Sequence, residues 1–187
     1  MEAVENSVFV SVEEYLAGEL ESEMRHEYLG GTVYAMAGAS RDHNTVAGNL
    51  FSALRSHLHG KPCRTFISDI KVRLRIGGDD IMYYPDVMVT CDPRDTDRYF
   101  SRFPKVLIEV LSPETERTDR REKFLSYTQI ETLEEYVLVA QDKMEVTVFR
   151  RANKWQPEIA NKPDLQLRLP SLDFALPLSA VYEGVKV

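Results

Sequence analysis

Cysteine is almost missing from this 187-residue sequence: Cys63 and Cys91 are the only two, and no CxxC spacing occurs. That excludes a zinc finger or a disulfide scaffold, and the expectation is a pair of reduced thiols in a cytosolic protein. Long hydrophobic runs are missing too. No stretch approaches the roughly 18 apolar residues that a membrane span needs, so no membrane partner is expected. The first ten residues, MEAVENSVFV, hold two glutamates and no basic residue. They fit neither a secretory signal nor a transit peptide, and a cytoplasmic location is expected. Positive charge is in deficit: 23 Lys and Arg face 30 Asp and Glu, for a net charge of -7. A protein that coats nucleic acid by bulk charge is thereby excluded, whereas a local basic groove is not. No GxSxG elbow supports a serine hydrolase. No internal repeat, low-complexity tract or Ser/Gly linker divides the chain, so one domain is expected.

Local patterns supply the elements. Ser11-Val-Glu-Glu14 has capping-box spacing and predicts a short helix to about Glu19. Residues 25–29 and 32–36 flank Gly30-Gly31, a pair suited to the positive φ of a tight hairpin. Asp42 is placed to cap a helix over about 43–59, whose Val46, Leu50, Ala53, Leu54, His57 and Leu58 share a face. Ile70, Val72, Leu74 and Ile76 alternate with Lys71, Arg73 and Arg75, predicting a strand with one apolar and one basic face. Residues 81–89 read as a further strand. Residues 105–111 form an apolar run suited to a strand buried on both faces. A helix over about 119–130 and a strand over 136–140 complete the length and order of a βαβ unit. Residues 145–151 read as another strand, and the Pro-punctuated tail as short strands.

Two acids interrupt this apolar pattern. Asp86 lies within Tyr84-Pro-Asp-Val-Met-Val89, and Glu109 within Val106-Leu-Ile-Glu-Val-Leu111. A carboxylate inside a buried strand costs several kcal/mol without a partner, and two on adjacent strands also repel. A divalent cation resolves both costs, since Mg²⁺ takes one or two carboxylates plus waters. Salt bridges to the arginines of the 71–75 strand are the competing account. In the next predicted helix, Lys123 and Tyr127 lie four apart on one face, with Arg120 three residues before. A lysine there can stabilise developing charge, although a solvated helix face accounts for the same charges. Glu27 is either a third acid or an exposed hairpin glutamate. His43 stands at a helix start, where phosphate binds readily, or serves local packing. Asp69 either approaches the metal or pairs with a neighbouring arginine. Tyr83-Tyr84 and Tyr99-Phe100 suit base stacking or simple packing.

Glu27-Tyr-Leu-Gly-Gly-Thr-Val-Tyr-Ala-Met36, Ser40-Arg-Asp-His43, Tyr84-Pro-Asp-Val-Met-Val89, Glu109-Val-Leu-Ser-Pro113, Lys123-xxx-Tyr127 and Glu134-Glu-Tyr-Val-Leu-Val139 follow one another in order. Together they resemble the Uma-type family of restriction-endonuclease-like proteins, over about residues 10–151. The resemblance implies membership of the PD-(D/E)XK phosphodiesterase superfamily. Asp86 then matches the first aspartate and Glu109 the second acid. The superfamily lysine would fall at 111, where this chain has Leu111; the Uma-type pattern moves it to the following helix, as Lys123.

The expected fold class is therefore α/β, a restriction-endonuclease-like mixed β-sheet flanked by helices. One domain spans 1–187, with 1–40 an N-terminal helix and hairpin and 152–187 a C-terminal extension. The expected activity is Mg²⁺-dependent hydrolysis of DNA, with Mn²⁺ a possible substitute. Asp86, Glu109 and the Val110 carbonyl would hold the metal, Lys123 would orient or deprotonate the attacking water or offset charge in the transition state, and Tyr127 would position Lys123. Arg41, Lys71, Arg73, Arg75 and Arg120 would supply a backbone-tracking groove. A homodimer would match the two-fold symmetry of a duplex. The competing class is an inactive nuclease-fold module that binds nucleic acid or a protein partner.

Overall fold

The computed structural model describes residues 9–113 and 115–187. The acidic segment of residues 1–8, on which the expectation of no leader rests, lies outside the described residues. Helix α1 (Val12–Glu21) starts at the capping box: Ser11 Oγ accepts from the Glu14 amide, and Glu14 Oε2 accepts from the Ser11 amide. Strands β1 (His26–Leu29) and β2 (Thr32–Ala35) form the expected hairpin. Gly30 and Gly31 take φ of 53° and 97°. A Cβ on Gly31 would also come within 2.3 Å of the Phe9 ring, so this turn requires glycine twice over. Helix α2 (Arg41–His57) is capped by Ser40, whose Oγ accepts from the His43 amide, and not by Asp42. It therefore begins two residues earlier than expected, and His43 falls in its first turn.

Strands β3 (Arg64–Ile67), β4 (Lys71–Ile76), β5 (Asp79–Tyr83), β6 (Val87–Thr90), β7 (Phe100–Ser101) and β8 (Pro104–Leu111) follow. A helix in three segments comes next: α-helical Glu116–Thr118, π-helical Asp119–Lys123 and α-helical Phe124–Tyr127. The chain continues with β9 (Glu135–Ala140), β10 (Val146–Arg150), β11 (Pro157–Ala160), β12 (Gln166–Leu169), β13 (Phe174–Pro177) and a one-turn helix, Leu178–Val181. One sheet has the order β11-β10-β9-β8-β6-β3, and a second β2-β1-β5-β4-β7. The first is mixed, because β8 and β9 run parallel across the 116–127 helix while its other pairs are antiparallel. That is the expected βαβ unit.

The single strand expected over 81–89 is in fact two strands in different sheets. Pro85 has no amide hydrogen to extend a ladder, and Tyr84-Pro-Asp86 carries the chain from β5 across to β6. The Ser68 amide donates to the Asp86 carbonyl and fixes the crossing. The loop expected over 92–103 contains β7, tied down by buried Asp95, which accepts from the Arg102 amide and from the Thr90 and Ser101 hydroxyls.

The six-stranded sheet is covered on both faces. On one, Val46, Ala47, Leu50 and Leu54 of α2 pack with Val87, Val89, Val106, Ile108, Val137 and Val139, and the C-terminal extension adds Leu167, Leu169 and Val181. On the other, Tyr127, Ile130 and Leu133 meet Leu107, Leu111, Tyr136 and Leu138, with Val72 and Tyr83 of the second sheet behind them. Every residue of β8 from Val106 to Leu111 is buried. Each fully buried aliphatic side chain there contributes about 1.5–3 kcal/mol, which is why the run tolerates one acid only if something compensates it.

The expectation of free thiols is corrected. Cys63 and Cys91 form a disulfide, with 4.1 Å between their Cα atoms. Antiparallel pairing of β3 with β6 sets Arg64 opposite Thr90, so the next residues outward, Cys63 and Cys91, face each other. Sequence separation of 28 residues hid this pairing. A C63S/C91S double variant should lose roughly 3 kcal/mol of unfolding free energy under oxidising conditions, as expected for a closed loop of this length. Urea unfolding with and without reductant measures it; identical midpoints for variant and parent would contradict the bond.

Candidate active site

The β6–β8 register pairs Val87 with Ile108. One step further, Asp86 stands opposite Glu109. Asp86 sits at the end of β6, where the ladder stops, so its side chain can turn into a cavity of about 820 Å³ that Glu109, Asp119 and Lys123 also line. Its Oδ1 lies 2.8 Å from His43 Nε2, and its Oδ2 accepts from the Val110 amide at 2.7 Å. His43 and β8 thus fix the aspartate from both sides. Each carboxylate oxygen retains further lone-pair capacity.

Glu109 is 2 % exposed. Its Oε1 accepts from Lys123 Nζ at 3.2 Å and from the Tyr127 hydroxyl at 3.0 Å. Among the described residues, its Oε2 takes no protein hydrogen bond. The 116–127 helix crosses over β8 and β9, and its 123 and 127 positions face down onto Glu109, as the four-residue spacing anticipated. Lys123 lies 3.1 Å from Glu27 and 3.2 Å from Asp119 as well. One ammonium therefore serves three carboxylates, all nearly inaccessible to water. Glu27 Oε1 and Asp119 Oδ1 are within ion-pairing distance of it yet accept no aligned hydrogen bond.

The electrostatics follow from this imbalance. Burial opposes the Lys123 charge, but Glu109, Glu27 and Asp119 outweigh it and hold the ammonium protonated well above the ordinary lysine range. Burial pushes the Glu109 carboxyl well above the usual carboxylate range; Lys123 offsets part of this, while Asp119, Asp86 and Glu27 add to it. Burial and the neighbouring Glu109 keep Tyr127 a phenol, hence a donor. Excess negative charge in a water-poor site is a standing demand for a cation or a proton.

The residues fit a divalent metal of the kind that uses few protein ligands. Two carboxylates share one cavity wall, and the charge imbalance and the two unaligned oxygens favour a cation. Among the described residues no group of three or more His, Cys, Asp or Glu forms a ready-made metal cage. Mg²⁺ does not need one, since it keeps several waters.

The sequence-derived candidates separate clearly. Asp86, Glu109, Lys123, Tyr127, Glu27 and His43 come together. The exposed-hairpin account of Glu27 is wrong: it is 2 % exposed and faces Lys123. Asp69 stands at the exposed edge of the same cavity and pairs with Arg25 at 3.3 Å, outside the Lys123 cluster. Lys71 is buried, donating to the Tyr84 hydroxyl, which donates to Glu19. It cannot contribute to a basic groove, because its end of β4 is covered by α1 and the crossing segment. Tyr83 and Tyr84 are core residues; Tyr83 packs edge-on against Tyr127. Arg120 is bound to Glu116 and Glu145, and Arg41 is exposed. Asp119 is the functional candidate that sequence reasoning missed. Its only signal was the i,i+4 spacing to Lys123, in a helix crowded with charges.

A six-stranded mixed sheet flanked by helices, with acids on two adjacent strands, places the chain in the restriction-endonuclease-like class of α/β folds. Within it the chain belongs to the Uma2 family, whose model, described as "Putative restriction endonuclease", matches residues 12–179. It is 34% identical over 178 residues to the Synechocystis sp. protein slr1290, covering 94% of this chain and 93% of that one. A second Synechocystis protein, sll1609, is 33% identical over 144 residues, 75% of this chain and 80% of that protein. Among solved structures, a crystal structure from Anabaena variabilis described as "a putative nuclease belonging to DUF820" superposes with TM-score 0.74 at 20% identity, covering 93% and 98% of the two chains. That likeness shows the fold. No helix among the described residues is long and apolar enough to cross a membrane.

Removing Lys123 leaves three buried carboxylates without their counter-charge. Lys123→Met in metal-free buffer should cost roughly 3–5 kcal/mol, the usual effect of breaking a buried ion pair from one side. Adding Glu27→Gln and Asp119→Asn should restore part of it. Urea denaturation measures both, and a loss under 1 kcal/mol for the single variant would contradict the charge balance described.

Proposed function

We propose that this protein is a Mg²⁺-dependent endonuclease that hydrolyses phosphodiester bonds in DNA, with Mn²⁺ able to substitute. The observation that carries the reading is the convergence of Asp86, Glu109 and Lys123 on one cavity from β6, β8 and the crossover helix. Asp86 and Glu109 would hold the metal, together with the backbone carbonyl of Val110. When bound, such an ion polarises a phosphoryl oxygen and lowers the pKa of a coordinated water.

The chain's own residues divide the remaining work. His43 and the Val110 amide hold Asp86 in one orientation, so little reorganisation is needed on binding. Tyr127 donates to Glu109 Oε1 and leaves Oε2 without a protein donor. Lys123, kept charged by its carboxylate partners, offsets the charge that develops on the phosphorus oxygens, an electrostatic role that a preorganised ammonium performs well. Glu27 and Asp119, 3.1 and 3.2 Å from that ammonium, help to position it. Cutting both strands of a duplex suits a two-fold homodimer. A DNA substrate suits a cytoplasmic setting, where the Cys63–Cys91 bond would meet a reducing environment.

One observation favours a second reading, a module that binds nucleic acid or a protein partner without turnover. Leu111 occupies the superfamily's lysine position and is buried in the core, and Lys123 is already engaged by three acids.

Plasmid nicking by purified protein decides between them. With Mg²⁺ or Mn²⁺ the parent should nick. Asp86→Asn and Lys123→Ala should each lower the rate at least about 100-fold, the scale of a lost electrostatic contact to the transition state. Equal rates in all three proteins would contradict the endonuclease assignment.

A further inference from the structure

A second cavity, of about 320 Å³, lies away from the acidic site and shares no residue with it. Its wall carries Arg73, Arg75 and Arg102, with Asp80 and Glu131 as the acids. Three guanidiniums thus face two carboxylates. The acidic cavity has the opposite balance, with Arg25 and Lys123 against Asp69, Asp86, Glu109 and Asp119. A third cavity is neutral, with Arg64 and Arg98 against Asp95 and Asp97. Arg73 and Asp80 pair with each other, which leaves Arg75 and Arg102 against Glu131.

The guanidiniums are held in place yet keep donors to spare. Arg73 Nε donates to Asp80 Oδ1 at 2.8 Å, and Arg75 Nε to the Gly78 carbonyl at 2.9 Å. Both bonds use the inner nitrogen. Arg73 and Arg102 also pack on the same ring, Phe100, at 5.3 and 5.2 Å from its centroid. Among the described residues, neither the Nη atoms of Arg73 and Arg75 nor the guanidinium of Arg102 donates a hydrogen bond to protein. Forked donors of this kind match phosphate oxygens.

The 116–127 helix carries Asp119 and Lys123 in the acidic cavity, and the turn after it carries Gln129 and Ile130 in the arginine cavity.

We propose that Arg73, Arg75 and Arg102 form a phosphate clamp that grips the DNA backbone outside the cavity lined by Asp86 and Glu109. The inference rests on the nuclease reading for its ligand but not for its geometry. The clamp narrows the basic groove expected from sequence to Arg73 and Arg75, adds Arg102, and leaves out Lys71. Cavity charge and spare donors select a phosphate group, here one of a polynucleotide backbone.

Binding of a short random-sequence duplex, followed by fluorescence anisotropy in EDTA so that nothing is cut, tests the clamp. Each phosphate contact contributes about 0.9 to the slope of log affinity against log salt. R75Q/R102Q should therefore lower that slope by about 1–2 and weaken binding roughly tenfold or more near 0.1 M salt. R75K/R102K, which keeps the charge, should retain most of the slope, and R64Q/R98Q at the neutral cavity should leave it unchanged. Unchanged affinity in R75Q/R102Q overturns the clamp, as does an equal loss in R64Q/R98Q. Inorganic phosphate titrated into the parent by calorimetry separates the sources: phosphate binding without an effect of R75Q/R102Q on duplex binding would also overturn it. The nuclease reading fails separately, if Asp86→Asn nicks as fast as the parent.

Discussion

The buried ammonium of Lys123 compensates the acids between the two sheets. Lys123 lies within 3.2 Å of Glu27, Glu109 and Asp119, which come from the N-terminal hairpin, the central strand β8 and the helix itself. Without it, Glu109 could not occupy an otherwise apolar strand, and Glu27 would have no reason to turn inward from β1. The ion cluster therefore joins the second sheet to the first as well as building the cavity. A site that holds the fold together is already rigid when a substrate arrives, and rigidity is what electrostatic catalysis requires.

The imbalance in that cluster matters as much as its geometry. Three acids and one base, with Asp86 nearby, leave negative charge that burial makes expensive. The structure limits the cost by raising the Glu109 pKa and by leaving a cavity in which a cation can be received. The arginines proposed to grip phosphate line a separate cavity that shares no residue with this one.

Much of this was legible in the sequence where local rules act alone. The capping box at Ser11, the Gly30-Gly31 turn, the 105–111 strand and the βαβ order each depend on a few neighbouring residues. Asp86 and Glu109 stood out because acids break an apolar run, and Lys123 with Tyr127 because helical spacing pairs them. The rest depended on packing between elements. Nothing local distinguishes Lys71, which is buried under α1, from Arg75, which is exposed. The break at Tyr84-Pro-Asp86 was hidden because β5 and β6 share one hydrophobic pattern while belonging to different sheets. Asp119 looked like one more charge on a solvated helix, and Cys63 and Cys91 met only through the β3–β6 register. Burial of polar groups is a tertiary property, and periodicity does not report it.

The central claim is that Asp86 and Glu109 receive a divalent ion beside Lys123. Anomalous diffraction from crystals soaked in Mn²⁺ tests it most directly. The account predicts one strong peak between these two carboxylates, about 2.0–2.3 Å from an oxygen of each, the range for hard divalent ions. It also predicts no such peak in Asp86→Ala crystals. A cation bound elsewhere, or none with Lys123 still closing over Glu109, would contradict it.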